Sequence, residues 1–215
     1  MDCIDQLTQS LMIKLSAVRL KMGLKKSQLC RNLAKILKKE LKKYREIEDI
    51  IIFGSVMREK DSPEDIDILI VLKKYELTLT AKIKSVINKT LDNKLPIHIE
   101  SIMIEDYIKQ PILITTLLEG FSIKETKRMA DILDLKPLTL FTYKGKTLSP
   151  ADKMAFSRAL RYALKETKAE KKGRGNVIVP RNKADLFEDM LKLWKDKISY
   201  SKINMIKTGI YRQGH

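Results

Sequence analysis

The chain has 215 residues, of which 44% are hydrophobic and 33% charged, and carries a formal net charge of +16. That length holds one large or two small domains with real cores, and the balance of apolar and charged residues excludes wholesale disorder. The positive field favours polyanionic partners, while no apolar run reaches the roughly 20 residues of a membrane-spanning helix and Met1-Asp2-Cys3 lacks the order of a secretory signal, so a cytoplasmic protein without membrane association is expected.

From Cys3 to Tyr44 apolar residues recur at helical spacing: Ile4, Leu7, Leu11, Leu15 and Val18, then Leu29, Leu33, Ile36, Leu37 and Leu41. This predicts two helices broken at Gly23. The second turns Lys35, Lys38, Lys39, Lys42 and Lys43 to its other side, which reads as a solvated face or as a contact for nucleic acid or acidic partners. With only Cys3, Cys30, His98 and His215, neither a disulfide framework nor a thiol-based zinc site can be assembled.

The run Ile50 to Phe53 predicts a buried strand that ends in a turn at Gly54-Ser55, and Ile66 to Leu72 a second strand. Between them Arg58 to Glu64 is too polar for a core. Leu79 to Leu91 has a helical apolar side at Ile83, Ile87 and Leu91, and Pro96 opens a third strand through Ile97, Ile99, Ile102 and Ile104. A strand, turn, strand, helix, strand order implies an α/β (α+β) core, helices against a mixed sheet. Glu105 to Glu119 predicts a helix interrupted or restarted at Pro111 and closed by Gly120, and Met129 to Leu135 a further turn or two.

Lys136-Pro137 marks an expected boundary. Beyond it come a strand at Leu140 to Tyr143, a helix capped by Ser149-Pro150, a glycine-basic loop Lys171 to Gly175, a strand Val177 to Pro180 and a helix Ala184 to Ile198 with Phe187, Met190, Leu191 and Trp194 on one side. The expected organisation is therefore a helical segment 1–45, a core 46–136 and a smaller α+β domain 137–215 that serves substrate or nucleic-acid binding.

Chemistry concentrates around the second strand. Asp65 and Asp67 alternate with Ile66 and Ile68, so the two carboxylates share one face. Such a pair is either an exposed strand start or a pair whose mutual repulsion is relieved by a hard divalent cation such as Mg²⁺. The turn at Gly54-Ser55 favours the second reading, because glycine lets backbone amides approach phosphate oxygens and the Ser55 hydroxyl lies beside them. A phosphate cradle next to a cation-binding pair is what phosphoryl transfer requires.

Phe53-Gly54-Ser55, the spacer Val56 to Glu64, and Asp65-Ile66-Asp67-Ile68 together resemble the signature of the nucleotidyltransferase superfamily typified by DNA polymerase β. The resemblance spans roughly Ile50 to Asp106. It implies a mixed-sheet nucleotidyltransferase core with flanking helices, Mg²⁺ or Mn²⁺ at Asp65 and Asp67, and a third carboxylate on a following strand as base and metal ligand. Glu100, opposite Ile99 and beside His98 and Ile102 in the alternation, is the candidate, with Glu105 and Asp106 just downstream. Small members of the family continue Gly-Ser-x-x-Arg-Gly; Arg58 matches the arginine and Glu59 replaces the glycine. Arg58 is then a contact for the triphosphate or a partner of Asp61 or Glu64.

The function so implied is Mg²⁺-dependent transfer of a nucleotidyl group from a nucleoside triphosphate, ATP being the expected one, to a hydroxyl with release of pyrophosphate. RNA or protein is the favoured acceptor, a small molecule the weaker option, and the oligomeric state is open, a homodimer included. Arg158, Arg161, Lys165, Lys168, Lys171, Lys172 and Arg174 offer a surface for RNA, with Tyr143, Tyr162, Trp194 and Tyr200 as stacking candidates and Trp194 weighed as core. The reading from a different class is a nucleic-acid-binding or assembly module on a degenerate transferase core.

Overall fold

The computed structural model describes residues 29–58, 65–76, 78–91, 95–146 and 148–208. The expected helix before Gly23, Cys3, His215 and the segment 59–64 with Asp61 and Glu64 lie outside the described residues. Residues 29–43 form the first described helix, α1, with Leu33 and Leu37 fully buried and all five lysines of its other face exposed.

Five strands build a first sheet. Its strands are β1 (Ile47–Phe53), β2 (Ile66–Leu72), β3 (Ile97–Met103), β4 (Phe121–Ser122) and β5 (Lys127–Arg128), in the order β3-β2-β1-β4-β5. β2 runs antiparallel to β1 and parallel to β3, so the sheet is mixed. Helix α2 (Leu79–Leu91) makes the crossover between β2 and β3. Ile66, Ile68, Ile70 and Leu72 alternate onto one face, where Leu33 and Leu37 of α1 and Ile83 and Ile87 of α2 cover them. The odd residues Leu69 and Val71 go to the opposite face with Ile51. There α3 (Ile104–Tyr107), α4 (Ile112–Glu119) and α5 (Met129–Ile132) supply Tyr107, Ile112, Leu113 and Met129. A strand buried on both faces reads as an unbroken apolar run, as Ile68 to Leu72 does.

The second sheet is antiparallel, ordered β7-β8-β6-β9 from β6 (Leu135–Gly145), β7 (Glu170–Lys171), β8 (Asn176–Pro180) and β9 (Ile198–Thr208). Lys136-Pro137 falls inside the first residues of β6, and the chain passes from α5 to β6 through Asp134, whose φ is 49°. Pro137 pairs with Ile206 of β9 at a level where β8 has already ended, so its missing N–H breaks no ladder bond on that side. Helices α6 (Pro150–Thr167) and α7 (Ala184–Lys192) pack on one face through Phe156, Leu160, Phe187 and Leu191 against Phe141, Val177 and Val179. Ser149 caps α6 by accepting from the Asp152 amide at 3.1 Å.

Two expectations are corrected here. The last helix stops at Lys192 rather than Ile198, because Lys195-Asp196-Lys197 supplies no apolar residue to continue the stripe and the chain turns at Trp194 to enter β9. The strand at Leu140 to Tyr143 extends to Leu135 and Gly145, since β9 pairs with it along that whole length.

Candidate active site at the end of the first sheet

Gly54 closes β1 with φ of +75°, a conformation open to glycine and costly for any other residue. A Cβ there would fall inside the van der Waals envelope of Asp67 Oδ2 and 3.1 Å from its Cγ. The glycine therefore serves twice: it turns the chain and makes room for a carboxylate. Residues Gly54–Val56 form a single 3-10 turn, closed by Met57 N–H donating to the Gly54 carbonyl at 3.1 Å. The first turn of a helix directs its amides outward with no partner in the turn itself, the arrangement that suits an anion.

Ser55 is buried, and its hydroxyl donates to Asp65 Oδ1 at 3.1 Å. Its one proton is thus committed to orienting Asp65, and what it offers a phosphate is its backbone. Asp67 lies opposite Phe53 in β1 and beside His98 in β3. Burial raises the Asp67 pKa above its ordinary value, and the charges of Asp65 and Glu100 raise it further, while His98 and Arg58 pull it down. A half-buried carboxylate with a second one beside it has the donor chemistry for a hard cation, and the space below Gly54 keeps its oxygen in place.

Glu100 pairs with Leu69, two residues further along the strand than the His98–Asp67 level, and so shares the Asp67 face while remaining exposed. The three acids do not converge into a ready-made cage: among the described residues no group of three or more His, Cys, Asp or Glu side chains gathers closely enough to hold a metal ion.

The Arg58 guanidinium is held by carboxylates other than those weighed from the sequence. Its Nη1 donates to Glu119 Oε2 at 2.5 Å and its Nε to Asp185 Oδ2 at 2.8 Å. Burial lowers its pKa, but Coulombic attraction to Glu119 and Asp185 outweighs that, and the charge is secured. Glu119 also accepts from Arg181 Nε at 2.9 Å and from Arg181 Nη2. The seam between the two sheets thus passes directly beside the glycine turn. A cavity of about 410 Å³ opens along it, bounded by Gly120, Arg128, Lys136, Pro137 and Arg181.

Glu119, Arg181 and Asp185 went unnoticed in the sequence. Glu119 did carry a signal: it is the only charge in the apolar helix Ile112–Glu119 and sits at the C-terminal end, where the helix dipole disfavours an anion. The stacking candidates divide differently. Tyr143 and Trp194 each stand edge-on to Phe156 at 5.4 Å, and Tyr200 lies 6.5 Å from Phe141, all in the second core. Tyr162 alone of the four is exposed, at 41%. The seven basic residues on α6 and the loop after it are all exposed, Lys172 paired with Glu170 at 2.7 Å.

Residues 35–129, from within α1 to the first residue of α5, match the family model described as Polymerase beta, Nucleotidyltransferase. The match takes in all five strands of the first sheet and stops short of the second. No curated protein matches the chain. Among the described residues no helix is long and apolar enough to cross a membrane.

Proposed function

We propose, from the match of residues 35–129 to the polymerase beta nucleotidyltransferase family model, that this protein moves a nucleotidyl group from a nucleoside triphosphate, ATP in our reading, onto a hydroxyl of RNA. The observation that carries the reading is the Gly54 cradle, where the positive φ and the missing Cβ admit the Asp67 carboxylate beside the turn. Asp65, oriented by Ser55, and Asp67 are the residues that would hold Mg²⁺, with Mn²⁺ as a substitute. Bound there, the cation would neutralise charge on the triphosphate and make the attacking hydroxyl more acidic.

The chain's own groups account for the remaining steps. Amides of the 54–56 turn receive phosphate oxygens, and the donors of Arg58 not taken by Glu119 and Asp185 present a fixed positive edge to the triphosphate. Glu100, on the Asp67 face, accepts the proton of the attacking hydroxyl and is the nearest acid on that strand to complete the metal shell. For the acceptor, the net charge of +16, the exposed basic stripe of α6 and the seam cavity edged by Arg128, Lys136 and Arg181 favour a phosphate backbone over a protein hydroxyl. On this reading the second sheet and its helices are an accessory acceptor-binding domain in a cytoplasmic enzyme.

The test is incubation with Mg²⁺ and each α-labelled triphosphate, with and without total RNA. Label should appear on RNA, and Asp65→Asn and Asp67→Asn should each reduce its incorporation by about 10³-fold, the effect of losing several kcal/mol of charge stabilisation. Label on the protein would move the acceptor to a protein hydroxyl. RNA binding that weakens steeply with salt, without incorporation in any arm, would leave a binding module on a degenerate core.

A further inference from the structure

The seam holds a chain of alternating charges, Asp185, Arg58, Glu119 and Arg181, that crosses between the two sheets twice. Arg58 follows the glycine turn and Glu119 ends α4, both on the first sheet's side; Arg181 and Asp185 belong to the segment from β8 into α7. Arg181 is anchored in turn, its Nη1 donating at 3.0 Å to Asn204 Oδ1, which also accepts from Thr139 Oγ1 at 3.0 Å. The chain therefore runs from the catalytic turn to the central strand of the second sheet. Glu119 is its centre: its side chain is 4% exposed, and each of its oxygens takes one arginine.

We propose that Glu119 is a positioning residue, acting through Arg58 to lock the 54–58 turn of the nucleotide site against the second sheet. Four points favour placement over stability alone. A buried ion cluster gains little over well-packed apolar residues of the same volume, because desolvation offsets attraction, so its best-attested use is to fix one geometry. Glu119 stands at the unfavourable end of its helix, a local cost that burial in an apolar seam would not require. Arg58, the residue it holds, is also within electrostatic reach of Asp67, so a shift of the guanidinium changes the field at the site itself. Asp185 supplies the second point of the fork, and two points fix the plane of a guanidinium where one leaves it free to swing.

The second sheet is, on this view, part of the nucleotide site and more than a handle for the acceptor. Its kinetic consequence rests on the function proposed above; its structural one does not. In the full chain, Glu119→Gln keeps the size and loses the charge. We expect amide hydrogen exchange across residues 54–58 to rise about tenfold or more while β6 is unchanged, as for local loosening in a folded protein. The kcat for nucleotidyl transfer should fall about tenfold or more with KM for the nucleotide altered less than about threefold, the pattern of a misplaced group rather than a lost binding contact. Asp185→Asn, which leaves the Glu119–Arg181 pair intact, should show the same pattern more weakly and serves if Glu119→Gln does not fold.

Unchanged exchange at 54–58 in folded variants overturns the proposal, whatever the activity. A lower melting temperature with unaltered kcat would do so too, since it marks a merely structural role. If the wild-type chain transfers no nucleotide, the functional reading falls and the exchange result still decides the positioning role.

Discussion

The two sheets are built by different rules, and the contrast explains where function can sit. In the first, helices cover both faces: Ile70 goes to one core and its neighbours Leu69 and Val71 to the other, and all are essentially inaccessible. The central strands β1 and β2 have no polar face to offer, so Asp65 and Asp67 stand where β2 begins, whereas the edge strand β3 carries an acid, Glu100, exposed within its length. In the second, α6 and α7 cover one face. Phe141 is fully buried there, whereas Ile203, which flanks Leu140 on the other face, is 63% exposed. A one-sided sheet spreads its polar groups along its surface, and the residues that meet the first sheet's side are Arg181 and Asp185 after β8, with Asn204 of β9 holding Arg181.

The largest expected effect tests the strand-end site of the first sheet. Gly54→Ala must place a Cβ against the Asp67 carboxylate and hold a left-handed φ, so the turn or the acid has to move. Transfer activity should fall about as far as in Asp67→Asn, on the order of 10³-fold, since displacing a cation ligand removes the same charge stabilisation. Near-normal turnover by Gly54→Ala would mean that the cradle does not shape the site.

The difference in burial has its own test in stability. Leu69→Ala and Ile70→Ala, consecutive residues facing opposite cores, should each cost about 2–5 kcal/mol in chemical denaturation. In β6 the consecutive pair should split: Phe141→Ala about 3–5 kcal/mol, Leu140→Ala less than half of that, since Leu140 is only partly buried. Equal costs within the β6 pair would show that the second face is covered in solution and would erase the contrast.

The same contrast explains what could be read from the sequence. The first sheet's central strands were legible because burial on both faces leaves unbroken apolar runs, and the turn and acid pair because glycine and alternating aspartates stand out against them. β9 was not, because Ser199, Ser201, Lys202, Asn204 and Lys207 dilute a strand at the edge of a one-sided sheet to the composition of a loop. The hairpin β4–β5 has strands of two residues each, too short for any period. It is held by Asp49, which accepts from the Ser122 hydroxyl at 2.5 Å and the Lys124 amide at 2.9 Å, a contact across more than seventy residues that no local pattern encodes. Glu119, Arg181 and Asp185 belong to that second kind. Arg181 and Asp185 are ordinary charged residues in their own segments, Glu119 stands out only by its place at the end of an apolar helix, and only the meeting of the two sheets makes the three a cluster.

The smallest effect concerns the sign of each region's response to pH. Burial, then the charge of Asp65, raises the Asp67 pKa above 3.8, so the folded state favours its protonated form. The contribution of such a group to stability is full below the unfolded value and is lost as pH rises through the folded one. Acids at the second sheet run the other way: a hydrogen bond from Lys197 lowers Asp152, and one from Lys172 lowers Glu170, so their contribution is lost as pH falls. Without divalent cations, Asp67→Asn should therefore melt higher than the wild type at pH 7, by no more than about 2–4 °C, the shift expected for about 1 kcal/mol in a chain of this size. The gap should close as pH approaches 4. Asp49, which burial also raises, is present in both proteins, so the difference isolates Asp67. Mg²⁺ should raise the wild-type melting temperature at pH 7 and leave that of Asp67→Asn nearly unmoved, because the repulsion it relieves is already gone. A variant that melts lower than the wild type at pH 7 would mean that Asp67 is stabilised by its neighbours, and that the acid pair at the end of β2 has no unmet need for a cation.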